Sequence, residues 1–108
     1  MTNPQPDATP RAVVSSVPFG PATADATAIS GPCRLYGWAV KETTGAAPAS
    51  FVIRDGGDAN STMVAPINLL ASESRSDTTH NDGIMCTQGV LIDILAGSIV
   101  GAVWVERL

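Results

Sequence analysis

Basic side chains are scarce in this sequence and dispersed. Six occur in 108 residues, Arg11, Arg34, Lys41, Arg54, Arg75 and Arg107, against ten acidic ones, for a net charge of -4. Binding a phosphate backbone needs a clustered basic stripe, so neither nucleic acid nor an anionic membrane surface is an expected partner. Long apolar runs are also missing. Val90 to Leu95 and Ile99 to Val105 are short and interrupted by Asp93 and Gly101, too short to cross a bilayer as a helix. Met1 to Pro10 holds Thr, Asn, Pro, Gln, Asp and Ala, without the basic and apolar regions of a signal peptide, so folding in a cytoplasm is expected. No G-x-G-x-x-G, P-loop, G-x-S-x-G or H-E-x-x-H pattern occurs, and no enzyme or cofactor site is expected.

Cysteine is limited to Cys33 and Cys86, too far apart for a CxxC metal or redox motif. Both fall in strand-like segments, where free thiols pack as small hydrophobes. The alternative is a disulfide closing a long loop.

Prolines are present but uneven. Five of the eight, Pro4, Pro6, Pro10, Pro18 and Pro21, lie before residue 28 in a stretch rich in Ala and Thr. That composition reads as an extended arm over residues 1–28, ahead of a domain over 29–108. Within the arm, Arg11-Ala-Val-Val-Ser-Ser-Val17 followed by Pro-Phe19 is apolar enough to form an edge strand or to dock on a neighbour. Val13, Val14, Val17 and Phe19 are its expected protein-interaction anchors.

From Ser30 onward the chain alternates strand-like segments with turn residues every eight to twelve positions, and helical spacing is absent. Cys33 to Glu42 has apolar groups on both faces and predicts a central strand, with a bulge or close backbone approach at Gly37. Ser50 to Asp55 is the next strand, ended by a turn at Gly56-Gly57. Met63 to Leu69 alternates, and Pro66 places it at an edge or bulge. Residues 71–83 are polar and turn-prone, with one short exposed strand. Val90 to Leu95 and Ile99 to Glu106, joined by Ala96-Gly97-Ser98, predict a hairpin. The sum is an all-β fold, a single antiparallel β-sandwich, jelly-roll or immunoglobulin-like, of six to eight short strands.

Polar residues that carry chemistry elsewhere have plainer roles here. His80, beside Asp77 and Asp82, lacks a nucleophile or a second histidine and reads as a loop residue. Asp55-Gly-Gly-Asp58-Ala-Asn60 offers oxygens for Ca²⁺ but lacks the closing Glu of an EF-hand, and a β-turn explains it better. Asp93 is expected at the solvent face or in an ion pair with Arg34 or Arg54. Tyr36, Trp38 and Trp104 offer a stacking platform for sugars, yet a core or a subunit interface also needs large rings.

The segments Gly31-Pro-Cys-Arg-Leu-Tyr-Gly-Trp-Ala-Val-Lys-Glu-Thr-Thr-Gly45, Ala49 to Gly56, Gly83 to Asp93 and Gly97-Ser-Ile-Val-Gly101-Ala-Val-Trp-Val105 resemble small virion structural proteins of tailed actinobacteriophages. The resemblance covers about residues 30–106 and implies a compact β-sandwich displayed in many copies as a capsid decoration (cement) protein. Its implied partners are the major capsid protein and further copies of itself, as a homo-oligomer and most simply a trimer. Its implied location is the virion surface, after synthesis in the host cytoplasm. It implies no catalytic residue, metal or cofactor. A minor tail or head-fibre domain that reads a host-surface glycan is the alternative.

Overall fold

The computed structural model describes residues 13–79 and 82–108. Nine strands occur among them: β1 (Ser15–Ala22), β2 (Ala26–Ser30), β3 (Cys33–Glu42), β4 (Ala49–Asp55), β5 (Thr62–Leu69), β6 (Ser74–Thr78), β7 (Ile84–Cys86), β8 (Gly89–Ala96) and β9 (Ile99–Arg107). One sheet has the order β1-β9-β3-β6, with β7 also on β3, and the other has the order β2-β8-β4-β5. All pairings are antiparallel.

The order of pairings identifies the sandwich as a jelly roll. β4 pairs with β5; around that hairpin β3 pairs with β6 and β7; around those β2 pairs with β8, and outermost β1 pairs with β9. Each partnership encloses the one before it, as in a long hairpin wound into two Greek-key sheets. Winding brings β9 against β3 and β8 against β4, and so closes the two sheets.

The core lies between the sheets. Phe19, Ile29, Leu35, Phe51, Ile92 and Val103 are among its members, contributed by β1, β2, β3, β4, β8 and β9. Alternation along β9 sends these groups inward and their neighbours toward the outer face, whereas β4 and β8 bury residues of both parities.

Three expectations are corrected. Residues 15–22 and 26–30 belong to the sandwich rather than to an arm, because β1 completes one sheet on β9 and β2 completes the other on β8. Strand β2, in a stretch read as linker, raises the count among the described residues to nine, above the six to eight expected. The stretch does contain the edge strand read from Arg11 to Phe19, since β1 is the outermost strand of its sheet. Residues 1–12 of the expected arm lie outside the described residues. Finally, β8 and β9 do not form a hairpin. They sit in different sheets, and Gly97, at φ 81°, turns the chain across the sandwich edge.

Other expectations match. β3 is an interior strand, and its register on β9 slips between Leu35 and Gly37, the bulge read from Gly37. β5 is an edge strand carrying Pro66, and β6 is exposed throughout.

Candidate interaction surface

The bulge in β3 decides which aromatics are available. Before it, Cys33 and Leu35 face inward; after it, Trp38, Val40 and Glu42 do. Trp38 is therefore 7% exposed and part of the core, which removes it from any sugar platform. Its Nε1 is a buried side-chain donor without a partner among the described residues. Tyr36 and Trp104 lie instead on the outer face, both half-buried. The Trp104 ring lies across Gly37: a Cβ there would come 3.1 Å from Trp104 Cε3. Glycine at this position leaves room for the indole to cover the neighbouring strand, as aromatic rings do over sheet glycines. The Tyr36 hydroxyl donates to Glu106 Oε1 at 3.0 Å, and Arg34 stands opposite Glu106 while donating to the Asp82 carbonyl at 3.2 Å.

This outer face continues onto β1, where Ser16 is opposite Trp104 and Pro18 is opposite Ala102. Proline has no N–H, so it fits an edge strand where that N–H would point to solvent. Toward the other end the face shallows into an open groove of about 450 Å³ lined by Ala39, Lys41, Ser74, Ser76, Val100 and Gly101. Strand β1 itself carries no charged residue.

The four expected anchors divide. Val13 and Val14 are 73% and 46% exposed, at the entrance to β1. Val17 is half-buried against the core, and Phe19, at 7% exposed, is a core residue of this chain. Phe19 as an external anchor is thus corrected: it points inward from β1 with Val17 and is consumed by the chain's own sandwich. His80 lies outside the described residues, whereas Asp77 and Asp82 are exposed.

Carboxylates missed as structural groups organise the loops. Glu42 is 1% exposed and ends β3. Its Oε2 accepts from the Thr44 amide and hydroxyl, both at 2.7 Å, and its Oε1 accepts from the amides of Gly45 at 2.7 Å and Ser72 at 3.0 Å. One side chain thereby ties the 43–48 loop to the β5–β6 connection, where Ser72 is held at φ 62°, an unusual conformation for a residue with a Cβ. The cue in the sequence was a carboxylate followed directly by Thr-Thr-Gly, a turn able to turn its amides back on it. Asp55 works similarly at the opposite end. Its carboxylate accepts from the amides of Thr87 at 2.9 Å, Gln88 at 2.8 Å and Gly89 at 3.3 Å. Asp58, by contrast, accepts from the Asn60 amide at 2.9 Å, so the two aspartates of the supposed Ca²⁺ loop face different partners.

Burial alone would raise the pKa of Glu42, but the hydrogen bonds from Thr44, Ser72 and Gly45 outweigh it and hold the carboxyl at about 2, against an ordinary 4.5. Asp55 is also lowered, its burial outweighed by the amides of Gln88, Thr87 and Gly89. A carboxylate whose folded-state pKa is depressed contributes stability that is present above its unfolded value and is lost as pH falls through the folded value. Stability is therefore expected to decline between about pH 4.5 and 2 as Glu42 protonates. Urea midpoints across that range check it: Glu42→Gln should lower the midpoint at pH 7 and flatten the decline, whereas parallel curves for the two proteins would contradict it.

Asp93 also resolves. It is 4% exposed and its Oδ2 accepts from Arg54 Nε at 2.8 Å, one of the two pairings expected from the sequence. Arg54 Nη1 further donates to the Ser61 carbonyl at 3.0 Å. Comparison with protein-family models, with curated proteins and with solved structures finds no match to this chain.

Proposed function

We propose that this chain is a non-enzymatic structural protein of a bacteriophage particle, a capsid decoration protein that packs on the major capsid protein and stabilises the shell. The observation that carries the reading is the solvent-facing valine pair Val13–Val14, placed where the chain enters the uncharged edge strand β1. Apolar groups at the mouth of a rigid edge are suited to docking on a neighbouring subunit, and repetition over a shell turns weak single contacts into firm attachment. The buried carboxylates Glu42 and Asp93 hold loops and strands together, as architecture requires. The virion assignment itself rests on the resemblance of residues 30–106. In this reading the chain assembles as a small homo-oligomer, a trimer, on the outside of the capsid, without nucleic acid, membrane or cofactor.

The test must spare β1, since deletion through residue 28 would remove β1 and most of β2. Val13→Asp together with Val14→Asp in the full chain should leave the far-ultraviolet circular dichroism unchanged. Binding to particles stripped of the protein should weaken by roughly a hundredfold, about tenfold for each lost anchor. Unaltered binding by the folded double variant would refute the anchoring role.

A second reading, a tail or head-fibre domain that binds host-surface glycan, is favoured by one observation: Trp104 and Tyr36 share the outer face beside Glu106 and Arg34. Ring faces next to a carboxylate and a guanidinium are the chemistry that holds a sugar. Saturable change in tryptophan fluorescence on titration with cell-wall saccharides, lost in Trp104→Ala, would favour this reading over cement.

A further inference from the structure

The two cysteines, remote in sequence, meet in the fold. Cys33 opens β3, Cys86 ends β7, and they occupy directly opposed positions of the antiparallel ladder. Both are fully buried and both are free thiols. Opposed residues of such a ladder have Cα atoms about 4.5–5.5 Å apart. A disulfide spans Cα separations of about 4.4–6.8 Å. We propose that Cys33 and Cys86 are an intramolecular disulfide site, a latch that fastens β7 to β3 when the protein meets a small-molecule disulfide oxidant.

The latch sits where three parts of the chain converge. Strand β7 has three residues and, among the described residues, pairs with β3 alone. Just beyond it the Gly31 amide donates to the Gln88 carbonyl at 2.9 Å, and the Leu108 amide donates to the Pro32 carbonyl at 3.2 Å. A covalent bond at this point holds the β2–β3 corner, the β7–β8 corner and the last strand together, and it closes the long loop between residues 33 and 86. Shortening the freedom of the unfolded chain in this way stabilises the folded one.

Chemically, one cysteine thiolate attacks the oxidant's S–S bond and displaces the first small thiolate, leaving a mixed disulfide. The second cysteine thiolate then attacks the protein sulfur of that mixed disulfide and displaces the second. The two cysteine protons end on the two small thiols, and the oxidant takes up the two electrons. Burial, then the neighbouring Cys33 and the charge of Asp55, push the Cys86 thiol up to about 12, and burial and Asp55 also raise that of Cys33. Neither is a ready nucleophile inside the closed fold, so reaction proceeds through opening of the short β7, and sub-denaturing urea should accelerate it.

The test uses the full chain incubated with oxidised glutathione, with and without urea below the unfolding transition. The expected product runs as a single chain on a denaturing, non-reducing gel, is lighter by two hydrogen atoms, and has no alkylatable thiol after denaturation. Its Tm should lie about 10 °C or more above that of the reduced protein and return on adding dithiothreitol. Cys86→Ser should give only a mixed glutathione adduct at Cys33, with no rise in Tm. Two alkylatable thiols persisting in the wild type under both conditions would overturn the proposal, as would a bond that forms without raising Tm.

Discussion

Replacing Asp93 with alanine is expected to lower the unfolding free energy by about 3–5 kcal/mol, since removing one partner of a buried ion pair strands the other charge. The side chains of Arg54 and Asp93 are 16% and 6% exposed, so water offers the guanidinium little compensation. Arg54 would retain its bond to the Ser61 carbonyl and lose its carboxylate partner among the described residues. Its surroundings are apolar, because Asp93 is opposite Val52 and Arg54 is opposite Leu91, each 3% exposed. The same surroundings make the pair replaceable. Arg54→Met combined with Asp93→Leu should recover most of the loss, because well-packed apolar groups often match a buried pair in stability. Urea unfolding of wild type, both single variants and the double variant measures the coupling. A loss below about 1 kcal/mol for Asp93→Ala would mean that the pair behaves as a surface one.

Phe51→Ala is expected to cost a similar amount, about 3–5 kcal/mol, by leaving a cavity that the sandwich cannot collapse around. Phe51 is 1% exposed, on the interior strand β4, with Ile67 opposite on one side and Ile94 on the other. Of its two neighbouring strands β8 is held in turn by β2, and the ring lies in the core between the two sheets, so relaxation is limited. Leu95→Ala supplies the contrast: the residue is 61% exposed, and its truncation should stay within about 0.5 kcal/mol. Thermal unfolding followed by circular dichroism separates them, and equal losses would contradict the placement of the core.

The fold class was legible because strand periodicity and turn residues are local signals. Pro66 marked an edge and Gly37 a bulge, each through a backbone property of a single residue. What stayed illegible was long-range. Nothing local separates a turn that keeps two strands in one sheet from a corner that passes them to different sheets, so Ala96-Gly97-Ser98 read as a hairpin. The prolines at 18 and 21 read as a linker, although an outward-facing edge position accommodates Pro18 as well.

Side-chain roles followed the same division. The pairing of Asp93 with Arg54 was anticipated, because a charge among apolar neighbours needs a partner. Trp38 was ambiguous until the bulge at Tyr36–Gly37 reversed the parity of β3 and sent its indole inward. The clamps of Glu42 and Asp55 depend on amides brought from Ser72 and from 87–89, and no spacing in the sequence announces such meetings.

In the proposed reading as an assembly module, the interior serves packing and the edge and outer face would meet neighbours. Densitometry of the gel bands of purified phage particles, scaled to the major capsid protein, tests that account most directly. A decoration protein should be present at a copy number comparable to that of the shell subunit; absence from the particle, or a handful of copies in each, would contradict it.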